Sequence, residues 1–457
     1  MTAHQASFRR IMLEVAEGRG AGALLENGFL DLLVGEGLEV HVLTPGARFA
    51  PFVERYGRNG VRFSYLPVDK YGVWDRWAGL EYRIGDWLLR RRRGRGRHAL
   101  WRVVGERLAA RRAGEFGELV RQERPDAFVS TNVTVGFDLG MVAAARRSGI
   151  PTLGNVFSWD HPFRRQTARP DLLTCWSDWV KDALVERQGY RADQVEVVGA
   201  PAFDPYFRKE CVWSREQLCR AIGLDPNRPI VVFASLGQMM PFLDETGSFR
   251  TLMAAIDNGR IRGNPQVVLR LHPLSLDYYF EEFRHRPDVV VSRYVGYCPG
   301  MRWWPAFDEV VLAANILRHA DACVSPGSTV TIETAIFNVP TIIPAFNPYS
   351  QEEHRAYFRL HWLNRHFRFI VEDGLLPLVE SADELVDAVN RALGERGWTA
   401  PGQENIRRRV LGPLDGKSTQ RLARAVVRVA HEGWRGRSGD RRHQPIAGSV
   451  PSGGREE

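Results

Sequence analysis

The chain has 457 residues, of which 44% are hydrophobic and 25% charged, with a formal net charge of +8 at pH 7. That length exceeds one ordinary core and predicts two domains, and the composition excludes a disordered or fibrous chain. No run of 18 apolar residues occurs, which excludes a membrane-spanning helix, and the first ten residues lack the apolar core of a signal peptide. A cytoplasmic location is expected.

Ile11–Val15 reads as a first strand, followed by the glycine-rich run Gly18-Arg19-Gly20-Ala21-Gly22 and a helix through Leu24, Leu32 and Leu33. Val40–Leu43 and Val61–Leu66 continue the alternation. A charged helical region runs from Trp74 to Arg121, with Trp77, Leu80, Ile84 and Trp87 at helical spacing and six arginines within Arg90–Arg97. Asp126–Ser130, Pro151–Phe157, Leu172–Trp176 and Val195–Val198 are the next strands, and Gly136–Arg147 and Asp178–Gln188 the helices between them. The run from Gly199 to Pro205 holds two prolines and a glycine, so it is expected to be irregular and to join the domains. A second alternating half has strands at Ile230–Ser235, Val267–Leu271, Val289–Ser292, Ala322–Ser325 and Thr341–Pro344. Its helices lie near Thr251, Val310, Thr329, Asp383 and Ser418. The fold class is α/β: two Rossmann-like domains, 1–204 and 205–432, facing a cleft, then a disordered basic tail over 433–457.

The excess of positive charge carries little indication of nucleic acid. Only four lysines occur, no nucleic-acid-binding motif accompanies them, and much of the positive excess sits in Arg90–Arg97 and after Trp434. Arg90–Arg97 could instead touch an anionic membrane surface, or form a solvated loop after a core helix. The five cysteines form no CxxC pair, so neither a zinc site nor a disulfide framework is indicated.

The most informative stretch is 318–333. The apolar run Ala322–Val324 ends in Ser325-Pro326-Gly327-Ser328-Thr329, and a helix with Ile332, Ala335 and Ile336 on one face follows. A strand, a small-residue turn and a helix start present free N–H groups and a positive dipole end to an anion. Glu333 lies one helical turn beyond Thr329, where a carboxylate can accept ribose hydroxyls. Hydroxyls at a helix start are often plain caps, but a capping box would need its cap at position 330, which is Val. Diphosphate plus ribose implies a nucleotide.

Arg270-Leu271-His272-Pro273 ends a strand of the same half, where His272 can offer an imidazole N–H to a phosphate oxygen. Gly18-Arg19-Gly20 is GxG without the spacing or the ribose acid of a dehydrogenase, which leaves an acceptor-side loop or a plain turn. Phe157-Ser158-Trp159-Asp160-His161 closes a strand of the first half, and Asp160 or His161 could take a proton from an acceptor hydroxyl. Alternatively, Asp160 caps a turn while Trp159 packs. Gln351 and Glu352, after Thr341–Pro344, could bind sugar hydroxyls or begin a solvated helix. Asp415-Gly416-Lys417-Ser418-Thr419 reads as a helix cap or as a lysine and hydroxyl pair reaching phosphate.

Taken in order, Ser158-Trp159-Asp160, Trp176-Ser177, Val198 to Pro201 with Phe203-Asp204, Arg270 to Pro273, Ser325 to Glu333 and Asp415 to Ser418 resemble a GT-B glycosyltransferase of the bacterial surface-polysaccharide type. The chain is more distantly similar to CDP-glycerol glycerophosphotransferases. The resemblance covers roughly 120–430. It implies an acceptor-binding first domain, a donor-binding second domain and a final helix that crosses back. It assigns His272 to donor phosphate, Ser325, Ser328 and Thr329 to the diphosphate, and Glu333 to the ribose. Relatives often carry Asn where His161 stands. The expected activity is an inverting, metal-independent sugar transfer from a nucleotide sugar, a co-substrate rather than a cofactor, to a hydroxyl of a surface glycan, lipid-linked intermediate or small metabolite. The rivals are a glycerophosphotransferase, a UDP-sugar 2-epimerase, which needs no acceptor, and a non-catalytic binding subunit.

Overall fold

The structure is a computed structural model that describes residues 9–67, 114–133, 136–163, 169–236, 245–272, 277–293, 296, 298–301, 304–348, 352 and 366–433. Arg90–Arg97, Gln351, the greater part of the charged region after Trp74 and the basic tail beyond Gly433 lie outside the described residues.

Seven short strands make the first sheet: β1 (Arg9–Glu14), β2 (Leu38–Thr44), β3 (Val61–Tyr65), β4 (Ala127–Ser130), β5 (Thr152–Asn155), β6 (Leu172–Cys175) and β7 (Val195–Val197). Their spatial order is β3-β2-β1-β4-β5-β6-β7, and every pairing is parallel. The second sheet contains β8 (Ile230–Ala234), β9 (Gln266–Arg270), β10 (Val289–Ser292), β11 (Ala322–Val324), β12 (Thr341–Pro344) and β13 (Leu378–Val379). Its order is β10-β9-β8-β11-β12-β13, again all parallel. The sequence pattern locates twelve of these thirteen strands; β13, two residues long, carries no periodic signal.

Strands such as β8 and β9 are buried along their whole length, which is why they read as continuous Val/Ile/Leu runs rather than alternating ones. In each sheet the strand order reverses once, between β1 and β4 and between β8 and β11. A crevice opens at the carboxyl ends of strands flanking such a reversal. The two crevices supply the two walls of the cavity described below.

The segment after β7 departs from the irregular structure expected of it. Pro201–Phe207 forms 3-10 turns, with Pro201 in the first turn, where its missing N–H leaves no bond unmade. Gly199 just before it has φ +89°, and a Cβ there would meet the Ser418 hydroxyl at 2.5 Å. Within the segment, Asp204 is buried and accepts the amides of Ser418 (3.0 Å) and Thr419 (2.7 Å). Asp204, and neither Asp415 nor Ser418, therefore caps the final helix Ser418–Glu432. Asp415 instead bridges Arg421 at 2.8 Å, and Lys417 is exposed.

That final helix packs back across the first sheet, touching the helix Phe29–Gly35, β1, β4 and β5. It buries Leu422, Val426 and Val429 there, each contributing about 1.5–3 kcal/mol of apolar burial. A second tie runs between the domains, since the Trp304 indole donates to the Tyr56 hydroxyl at 3.0 Å and Cys298 and Met301 join the first-domain core. All five cysteines are buried and free. Among the described residues, no helix is long and apolar enough to cross a membrane.

Candidate active site

On the second-domain side, β11 runs into a turn that cannot continue as strand or helix. Pro326 interrupts it, and Gly327 sits at φ +102°, a conformation costly for any side chain with a Cβ. The helix Val330–Phe337 starts directly afterwards. Its first amide, on Val330, is taken by the Ser328 hydroxyl at 3.3 Å, while the amides of Ser328 and Thr329 have no partner among the described residues. Gly327, Ser328 and Thr329 line a cavity of about 370 Å³ between the domains. Ser325 does not line it: fully buried, its hydroxyl lies 3.5 Å from the Gly327 amide and from the Ser328 hydroxyl, supporting the turn from behind.

Arg270 and His272 enter the same cavity from the end of β9. Arg270 is buried and donates to the Ser292 hydroxyl at 2.8 Å. The His272 amide donates to the Ser235 hydroxyl at 2.9 Å, which fixes the backbone that carries the imidazole. Burial, assisted by the positive charge of Arg19, lowers the His272 pKa to about 4. The ring is therefore neutral near pH 7, with one N–H to donate. Glu333, half-buried, also lines the cavity, and its Oε2 accepts the Tyr206 hydroxyl at 2.6 Å. Burial raises the pKa of this carboxyl, while the Tyr206 bond and the Arg270 charge oppose the rise.

The first-domain side contributes Arg19 and the turn after β5. Gly18–Gly20 proves to be a short helical turn whose glycines are buried and off the cavity, so only Arg19 faces it. The Arg19 guanidinium pairs with Glu17 at 3.1 Å and lies 5.4 Å from the centre of the Phe157 ring. Asp160 lines the cavity, its Oδ1 accepting the Ser158 hydroxyl at 2.5 Å. His161 Nε2 lies 4.0 Å from the same oxygen, and its side chain is 3% exposed against 14% for Asp160. Trp159 packs edge-on against His366 (4.6 Å between ring centres) and Phe367 (5.2 Å). The turn thus combines the packing and the cavity-lining readings of this motif. Glu352 is exposed and off the cavity.

Three groups escaped the sequence reading. His366 lines the cavity from a segment with no motif around it. Tyr206 follows directly on the run Gly199–Pro205 expected to join the domains, and no motif included it. Glu14 closes β1 and is fully buried, accepting the Ala16 amide at 2.6 Å and the Ser130 hydroxyl at 2.9 Å. Burial pushes its pKa up to about 7 despite those bonds. An acid directly after Ile11–Leu13 was the available signal for it. Among the described residues, no group of three or more His, Cys, Asp or Glu is placed to hold a metal.

No protein-family model matches the chain, and no curated protein matches it in sequence. Solved structures do match in fold. Staphylococcus aureus MnaA, in a co-structure with UDP, is 12% identical, with 93% of this chain and 98% of that one covered and a TM-score of 0.53. The UDP-GlcNAc 2-epimerase of Methanocaldococcus jannaschii, in complex with UDP-GlcNAc and UDP, is 15% identical over 91% and 98% of the two chains, with a TM-score of 0.50. The wall teichoic acid polymerase TagF, soaked with CDPG, is 8% identical over 93% and 90%, with a TM-score of 0.54. The chain has the two-domain GT-B α/β fold. At these identities the likeness is one of architecture.

Proposed function

We propose that the protein transfers a sugar from a nucleoside-diphosphate donor to an acceptor hydroxyl. The observation that supports this reading is the meeting, in one cavity, of a first-domain carboxylate with a second-domain helix start, a neutral imidazole and a half-buried glutamate. The donor diphosphate takes the Ser328 and Thr329 amides and the His272 N–H, and Arg19 adds positive charge from across the cleft. Glu333 takes ribose hydroxyls. The UDP and UDP-GlcNAc held by two of the similar folds support a ligand of this kind. Asp160 serves as base, being more open to the cavity than His161 and fixed by Ser158. The acceptor oxygen attacks the anomeric carbon opposite the diphosphate. One C–O bond forms, the C–O bond to diphosphate breaks, and the acceptor proton passes to Asp160, with inversion. The nucleotide sugar is a co-substrate, and the scheme calls on no further cofactor. Contact of Arg90–Arg97 with an anionic membrane would suit a lipid-linked acceptor, one of the acceptor classes this reading admits.

Calorimetric titration of UDP, CDP, GDP, TDP and CMP into wild type and His272→Ala tests the site. One nucleoside diphosphate should bind selectively, and the variant should weaken it roughly 10- to 100-fold, the worth of a hydrogen bond to a charged group. Absence of any nucleotide binding would sink the reading. The matching nucleotide sugar, incubated without acceptor, separates the rivals: inversion at the sugar C2 would mean an epimerase, whereas a transferase leaves the donor sugar unchanged until an acceptor is added.

A further inference from the structure

Tyr206 belongs to neither domain's sheet. It lies near the end of the 3-10 segment Pro201–Phe207 that joins them, 4% exposed. Its ring stacks on Phe337 with 5.5 Å between centres and packs on Phe203 at 5.3 Å. Its carbonyl accepts Arg318 Nη2 at 2.6 Å. Two residues earlier, Asp204 anchors the same segment to the final helix. The phenol is thus placed by contacts that do not involve its hydroxyl, and the hydroxyl points at Glu333 Oε2.

We infer that Tyr206 is a positioning residue for nucleotide recognition: it holds one oxygen of Glu333 so that the other meets a ribose cis-diol, and the pair selects ribonucleoside over 2′-deoxyribonucleoside diphosphates. This rests on the reading of the cavity as a nucleotide site. Glu333 Oε1 has no partner among the described residues, and the side chain lines the cavity. A glutamate with three free torsions would sweep several positions, and the Tyr206 bond removes most of that freedom before a ligand arrives. A diol supplies two O–H donors to such a fixed carboxylate, and a 2′-deoxy sugar supplies one.

The groups facing Glu333 also set its charge. Arg270 comes from β9, Tyr206 from the crossing segment, and the buried Cys323 thiol, kept protonated by burial, from β11. Arg270 and Tyr206 both favour the ionised carboxyl against the effect of burial. Without the tyrosine hydroxyl only Arg270 opposes burial, and Glu333 keeps its proton to higher pH.

The test is calorimetric binding of UDP, CDP and GDP, each beside its 2′-deoxy counterpart, to wild type and Tyr206→Phe at pH 5.5 and 8. Wild type should bind the preferred ribonucleotide about tenfold more tightly than its deoxy form. Tyr206→Phe should weaken the ribonucleotide about fivefold, leave the deoxy form nearly unchanged, and show the larger loss at pH 5.5. Glu333→Gln, which keeps the shape, should collapse the same ratio if Tyr206→Phe folds poorly. Equal weakening of both nucleotides would make Tyr206 mere packing. Equal wild-type affinity for both would remove the selection, leaving the nucleotide site standing. Failure of every diphosphate to bind would remove the site itself, and this inference with it.

Discussion

On the second-domain rim the Ser328 turn and His272 are fixed through backbone, whereas Arg270 and Glu333 are held by the Ser292 and Tyr206 hydroxyls. The Ser328 and Thr329 amides are held by the helix they begin, and His272 by an amide bonded to Ser235. On the first-domain rim the groups facing the cavity are side chains held by side chains: Ser158 holds Asp160, and Glu17 holds Arg19. A backbone rim can bind an anion with almost any side chains beside it, because dipole and amides come with the fold. A side-chain rim is tunable one residue at a time. The difference teaches which groups can be altered one at a time; under the proposed function, affinity would rest with the second rim and turnover with the first.

The largest effect expected on that division comes from Asp160→Asn. If the first rim carries the chemistry, turnover falls roughly 10²- to 10⁴-fold while nucleotide affinity, measured by calorimetry, stays within about twofold. Comparable losses in both quantities would merge the two rims into one binding surface.

Glu14, fully buried at the end of β1 and off the cavity, tests what the first domain's core carries beside that rim. Its folded pKa, raised to about 7, lies above the value near 4.5 of an exposed glutamate. For an acid, that sign means the stabilisation is fully present below about pH 4.5 and is lost as pH rises through 7. Glu14→Gln should therefore raise the melting temperature at pH 8, by an amount on the order of 2–3 kcal/mol in stability, and leave it nearly unchanged at pH 4.5. A pH-independent difference in thermal melts would show that the carboxyl's ionisation is not what the core resists.

The smallest effect concerns the electrostatic link between Arg19 and His272 across the rims. Burial is the main cause of the depressed His272 pKa, with Arg19 second. Arg19→Gln should raise the His272 titration midpoint, followed by NMR of the imidazole C–H, yet leave it below that of a solvent-exposed histidine. No movement would place Arg19 out of electrostatic reach and separate the rims entirely.

How much was legible beforehand follows the same division. The places of Gly327, Ser328, Thr329, His272 and Glu333 on the cavity could be read because each depends on neighbours within one strand, turn and helix start. Asp160 could be read as a polar residue at a strand end, but only packing shows that Trp159 and His161 are buried in that turn while Asp160 is the more open of the three. Gly18 and Gly20 were misleading, since glycines suggest a turn open to ligand and here they close a helical turn against the core. Ser325 sits one layer behind the surface it was expected to form.

The sequence by itself determined the parallel α/β alternation, the strand ends where polar residues gather and the strand–turn–helix form at Ser328. Each follows from hydrophobic period and from what Pro326 and Gly327 permit locally. Only the tertiary structure decided that Tyr206 meets Glu333 across 127 positions, and that Asp204 caps a helix 214 positions away. It alone decided that Glu14 holds its proton near neutral pH. Those outcomes depend on desolvation and on contacts made when two domains and a returning helix close on one another, and no window of neighbouring residues encodes either.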